Sequence, residues 1–205
     1  MSELTLYIGT KNTSSWSLRA WLMLKLTEVN FETIVIELDQ SDTKEKIMQV
    51  SPSGRVPVLK HKNQLIWDSL AIGEYLAEIY PHKYLWPKDF TQRAEARSLS
   101  CEMHAGFSEL RKHLPMNIKK RYKDYLIPQK VSEEIQRIIR IWTEYRSKYN
   151  SYGKFLFGDF TIADAMFAPV ATRFVTYDVK LSELAMNYVN AIMEWSAMKE
   201  WCDHV

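Results

Sequence analysis

Cysteine is scarce in this 205-residue chain: Cys101 and Cys202 are the only two, far apart and in no Cys-x-x-Cys or metal-ligand pattern. That excludes a disulfide-built scaffold and a cysteine-based metal site, and it fits a reducing compartment in which both thiols are structural. Charge of one sign is scarce too. Twenty-seven Lys and Arg against 25 Asp and Glu leave a net +2, too small a surplus to point to nucleic acid. No window approaches the eighteen or so apolar residues of a membrane span. The opening Met1-Ser-Glu-Leu-Thr5 lacks the basic and long apolar regions of a signal peptide. There is no internal repeat and no low-complexity segment. These absences together point to a cytoplasmic protein with no metal, no nucleic-acid partner and no membrane partner. Hydrophobic residues at 46% and charged residues at 25% are ordinary for a globular chain of one large or two small domains. Seven Trp and eleven Tyr supply material for an apolar cleft.

The pattern changes partway along the chain. Leu4-Thr-Leu-Tyr-Ile8 reads as a buried first strand, and Leu18, Trp21, Leu22 and Leu26 then follow at helical spacing. Phe31 to Leu38 is rich in β-branched residues and reads as a second strand, completing a βαβ unit. A short helical piece around Thr43–Met48 comes next. Val56 to His61 and Gln64 to Trp67 flank Lys62-Asn63 as a hairpin, and Asp68-Ser69 caps a helix running to about Tyr80. Beyond Pro81–Phe90 the strand signal disappears. Helices are predicted over 91–114, where Met103, Phe107, Leu110 and Leu114 share one face, and over 131–149, 161–177 and 184–203. The fold class is therefore α/β followed by all-α. A thioredoxin-like half covers 1–81 and an all-helical half covers 90–205.

The first strand-to-helix turn, Asn12-Thr-Ser-Ser-Trp-Ser-Leu-Arg19, concentrates hydroxyls beside the free N–H groups of an opening helix. Ser14 or Ser15 suits the cap, and such a turn can stabilise an anion, a thiolate included.

Four motifs stand in order: Ser14-Ser-Trp-Ser-Leu-Arg19, Gly54-Arg-Val-Pro-Val-Leu59, Trp67-Asp-Ser-Leu-Ala-Ile72 and Thr161-Ile-Ala-Asp164. With them the chain resembles a glutathione transferase over nearly its whole length. The serine motif is most similar to the zeta class, whose pattern is Ser-Ser-Cys-Ser-x-Arg. The chain also resembles bacterial transferase homologues that carry Ser-Ser-Trp-Ser-Leu-Arg and Glu-Met-His-x-Gly-Phe. The resemblance implies a glutathione-binding first domain, a second-substrate helical domain, a cleft between them and a homodimer.

It also implies roles, residue by residue. Val56, before a cis Pro57, pairs its backbone with the cysteinyl part of glutathione. Asp68 and Ser69 hold the γ-glutamyl group, and Gln40 and Lys44 are candidates for the glycyl carboxylate. Ser14, five residues before Arg19, has the offset of the catalytic serine in zeta-like relatives. Ser15 is the runner-up, Ser17 reads as a cap, and Tyr7 is the rival from outside the motif. The serine holds the cofactor's sulfur as thiolate; a free thiol, with its pKa of about 8.5, is only a few per cent ionised at neutral pH. For the second-substrate pocket the candidates are Trp16, Glu102, His104, Phe107, Arg111, Met116 and Arg173. Trp16 stands where the zeta pattern has cysteine, which argues against disulfide exchange. Thr176 stands where zeta proteins use an arginine for a substrate carboxylate, and Arg173 lies one turn earlier. Thr161 and Asp164 form a capping box with a folding role.

Conjugation of glutathione to a small hydrophobic electrophile is the function expected, with glutathione as co-substrate. The alternatives are a maleylacetoacetate isomerase-like cis-trans isomerisation and a catalytically silent ligand- or protein-binding member of the fold.

Overall fold

Leu4, Leu6 and Ile8 alternate along β1 (Leu4–Gly9) and are fully or nearly fully buried, which commits the strand to the sheet's centre. The computed structural model describes residues 3–205. Met1 and Ser2, part of the segment read above for a signal peptide, lie outside the described residues. The sheet runs β2-β1-β3-β4, with β2 (Glu32–Ile36) parallel to β1. The hairpin β3 (Val58–His61) and β4 (Gln64–Trp67) adds on antiparallel, Tyr7 lying opposite Val58. Strand β2 is shorter than the predicted 31–38. Its continuation is intercepted by Thr10, whose hydroxyl accepts the Leu38 N–H at 2.8 Å, and Asp39 then turns left-handed.

Helices α1 (Ser15–Thr27), α2 (Thr43–Val50) and α3 (Ser69–Ile79) complete the first half. The second half carries α4 (Phe90–Ala105), α5 (Ser108–His113), α6 (Gln129–Tyr149), α7 (Ile162–Thr176), α8 (Glu183–Glu194) and α9 (Ser196–Asp203). Two predicted helices are broken. The one expected over 91–114 ends at Gly106, where an added Cβ would stand 2.8 Å from the Glu102 carbonyl oxygen, and Phe107 follows in left-handed backbone. A new helix starts there because Glu134 of α6 accepts the Glu109 and Leu110 N–H groups at 3.3 and 2.7 Å. The one expected over 184–203 breaks at Trp195, whose ring stacks on Phe160 with centroids 3.6 Å apart.

Helix α7 is the axis of the helical half, and nearly all of it is buried. Its capping box is present: Asp164 accepts from the Thr161 N–H and hydroxyl, and also from the Leu156 N–H and the Tyr188 hydroxyl. The two halves are stitched by direct bonds. Arg19 Nε donates to the Met166 carbonyl at 3.1 Å, Trp201 Nε1 to the Lys11 carbonyl at 3.2 Å, and the Ile118 N–H to the Asn12 carbonyl at 3.3 Å. One apolar core runs through both, so the cleft between them has fixed walls.

Candidate active site

The turn after β1 is held by its own hydroxyls. Ser17, in the first turn of α1, accepts the Gly9 N–H at 2.9 Å and the Ser14 hydroxyl at 2.7 Å. Ser14 is the N-cap residue by position, yet no side chain caps the helix, so the expected hydroxyl cap is absent. The reason is competition: the Ser14 oxygen is turned to Ser17 instead of to a first-turn amide. Those amides therefore keep free hydrogen-bonding capacity. The Ser15 hydroxyl has no partner among the described residues. Both serines are 7% exposed and line a cavity of about 520 Å³, with Arg111, Met116 and Arg173 in the opposite wall.

A second cavity of about 480 Å³ adjoins the first, sharing Trp16, Arg55 and Val56. The Val56–Pro57 bond is cis, and Gly54 before it is left-handed at φ 66°, a conformation that suits glycine. Val56 makes no backbone hydrogen bond among the described residues, which leaves its N–H and C=O open to a peptide. Asp68, at the N-cap of α3, accepts the Leu70 and Ala71 N–H groups through Oδ1. The Ser69 hydroxyl behind it is buried and unpartnered. His104 completes this wall: Nε2 stands 3.1 Å from Asp68 Oδ2, and its ring meets the edge of Trp16 at 5.3 Å.

The cavity holding the serines has a cationic wall. Arg173 is buried and spends its guanidinium on the Leu114 and Pro169 carbonyls. Arg111 donates to the Met103 carbonyl, and the guanidiniums of Arg19 and Arg111 lie 4.5 and 5.6 Å from the Trp16 ring centroid. Among the described residues, none of the three has a carboxylate in salt-bridge contact. Burial, then the Arg173 and Arg111 charges, pull Arg19 down to about 9, against an opposing pull from Asp68. Burial, then Arg111, pull Arg173 down to about 10. Burial lowers Arg111 as well. Positive charge that Asp68 and Glu134 offset only in part favours an anion in the cleft.

The sequence-predicted residues divide cleanly. Ser14, Ser15, Trp16, Val56, Pro57, Asp68, Ser69, His104, Arg111, Met116 and Arg173 line the two cavities. Gln40 and Lys44 line neither; the Gln40 side chain returns to the Leu38 carbonyl. Phe107 also lies away, since the break at Gly106 turns it into the core beside α6. Glu102 faces α6, paired with Arg137 at 2.7 Å, and Tyr7 lines neither cavity. His104, expected in the second-substrate pocket, lines the second cavity with Trp16 and stands against Asp68. Thr176 is buried with its hydroxyl on the Asn117 carbonyl. Arg55 was missed. Its exposed guanidinium has no partner among the described residues and stands where the cavities meet; a cation next to Val-Pro was the available signal.

Comparison with known proteins gives this geometry its family. The sequence profile of glutathione S-transferase N-terminal domains matches residues 13–79, and that of the C-terminal domains matches 101–204. A probable maleylacetoacetate isomerase of Caenorhabditis elegans is 32% identical over 86% of this chain and 81% of its own length. A stringent starvation protein A homologue of Coxiella burnetii is 24% identical over 84% of this chain and 76% of its own. Among solved structures, a glutathione transferase homologue from Burkholderia gl BGR1 with bound glutathione superposes with a TM-score of 0.76. It is 25% identical, with 98% of this chain and 97% of that one covered. With a four-stranded mixed sheet, a helical second half and both domain profiles matched, this chain belongs to the glutathione S-transferase family and is a glutathione-dependent enzyme.

Proposed function

We propose that the chain is a serine-type glutathione transferase in which the two adjoining cavities hold glutathione from end to end. On this reading residues 1–81 bind the tripeptide and 90–205 the second substrate. Asp68 and Ser69 take the γ-glutamyl group, Asp68 meeting its ammonium and the α3 N-terminus its carboxylate. The open backbone of Val56 pairs with the cysteinyl unit. Arg55 replaces Gln40 and Lys44 as partner of the glycyl carboxylate, because its guanidinium is the unpaired cation on the shared wall.

The thiol then lies at the α1 turn. Ser14 gives its hydroxyl bond to Ser17, a neutral pairing. A thiolate is a charged acceptor and forms the stronger bond, so Ser14 turns to it. Its offset from Arg19 matches that of the catalytic serine in zeta-like relatives, and the free Ser15 hydroxyl is the second donor. Lowering the thiol pKa by about two units, or roughly 2.7 kcal/mol, makes the thiolate the main species at neutral pH. The thiolate attacks a small electrophile in the pocket faced by Trp16 and Met116. The enzyme is a homodimer, as the family resemblance implies, and its scarce, unpatterned cysteines fit a place in the cytoplasm.

The observation that carries this reading is the junction at Val56 of a serine-lined cavity with an Asp68–Ser69 cradle. Retention on immobilised glutathione and turnover of an electrophile panel test it. Ser14→Ala is expected to bind glutathione normally and to lose turnover by roughly 25-fold at pH 7, as the thiolate falls from the main species to a few per cent. A second reading, glutathione-dependent isomerisation of a carboxylate-bearing substrate, is favoured by one observation: Arg111 and Arg173 line the serine cavity with no carboxylate in salt-bridge contact among the described residues. Binding with no conjugation across the panel selects it.

A further inference from the structure

Asp68 is held from two directions. Its own helix takes Oδ1 through the Leu70 and Ala71 N–H groups, and the helical half takes Oδ2 through His104 of α4, 3.1 Å away. A carboxylate only accepts, so His104 Nε2 carries the proton of that contact. Asp68 needs such bracing because its backbone is left-handed at φ 74°, a costly conformation for a residue with a side chain. The same imidazole rests on the edge of Trp16, at the first turn of α1, and its Nδ1 is buried without a partner. One side chain from the second half thus touches both the acid of the γ-glutamyl cradle and the residue next to the serine pair.

We infer that His104 is a positioning residue for glutathione: through its contact with Asp68 it sets the carboxylate that recognises the γ-glutamyl end, and so contributes to the choice of glutathione over a truncated thiol. This deepens the proposed function and rests on Asp68 meeting the γ-glutamyl group. Freed of His104, the Asp68 carboxylate keeps its helix cap and loses the donor that fixes its second oxygen. Affinity falls for a ligand that uses that oxygen and stays constant for one that does not.

Cysteinylglycine, which lacks the γ-glutamyl unit, is the discriminating probe. Dissociation constants for glutathione and for cysteinylglycine are measured by Trp fluorescence in the native protein, His104→Leu, His104→Gln, Asp68→Asn and the His104→Leu/Asp68→Asn double variant. The preference for glutathione is expected to fall about tenfold in His104→Leu and in Asp68→Asn, and no further in the double variant. His104→Gln, whose amide can donate to Asp68, is expected to recover most of it. A merely structural role would weaken both ligands alike. Equal losses for the two thiols, additive effects in the double variant, or an unchanged preference in His104→Leu overturn the inference while the role of Asp68 stands. An unchanged preference in Asp68→Asn overturns that role and the inference with it.

Discussion

Trp16 does most to separate this site from the pattern its motif resembles. The indole occupies the place of a thiol, lines both cavities and lies against Arg19, Arg111 and His104. It thereby carries two guanidiniums, that of Arg111 in the wall of the serine cavity and that of the fully buried Arg19, each held by a single protein carbonyl. A carboxylate entering that cavity gains a charge-assisted bond, while a neutral electrophile gains nothing there. Arg111 is the cation to change, since it is half-buried and braces only the Met103 carbonyl. Arg111→Gln is expected to lower kcat/KM for a carboxylate-bearing substrate about tenfold and to leave a neutral one within twofold. Equal effects on both would place the guanidinium outside the binding event. The cluster itself was not legible in the sequence. Arg19, Arg111 and Arg173 lie on three helices, and nothing local says that they share one space.

At the scale of elements, the capping box of α7 was readable from Thr161-x-x-Asp164, because a cap is a contact between near neighbours. What the spacing could not give is that Asp164 also serves Leu156 and Tyr188 and is wholly buried. Burial outweighs the four hydrogen bonds it accepts and pushes the carboxyl up to about 6. The sign follows from a folded pKa above the unfolded value of about 3.9. This group's contribution to stability is complete below about pH 4 and is lost as the pH rises through about 6. The stability advantage of the native protein over Asp164→Asn should therefore grow by about 1 kcal/mol between pH 7 and pH 5, seen as a widening gap in Tm. A gap that narrows on acidification would mean a depressed carboxyl. Helix boundaries show the same division between local and distant causes. The α3 start was legible because Asp68 caps its own helix. The break at Gly106 was not, since Glu134, 24 residues from Leu110, makes the new start possible.

At the scale of the whole molecule, the order of strands and helices fixed the architecture before any contact was known, since βαβ, then ββα, then helices admits few packings. The seam between the halves could not be read, as it depends on pairs such as Arg19 with Met166 and Trp201 with Lys11. That seam has a thermodynamic consequence. Urea unfolding followed by far-UV circular dichroism and by Trp fluorescence should give coincident single transitions, and separate midpoints would show halves that fold independently. The seam also keeps the serine turn opposed to the second half, which the chemistry requires. The central claim is that this turn ionises a bound thiol. It is tested most directly by titrating the thiolate absorbance of glutathione bound to the native protein and to Ser14→Ala. The expected result is an apparent pKa of about 6.5 in the native complex and a return to about 8.5 in Ser14→Ala. A native complex titrating at about 8.5, or a depression that survives Ser14→Ala, would contradict it.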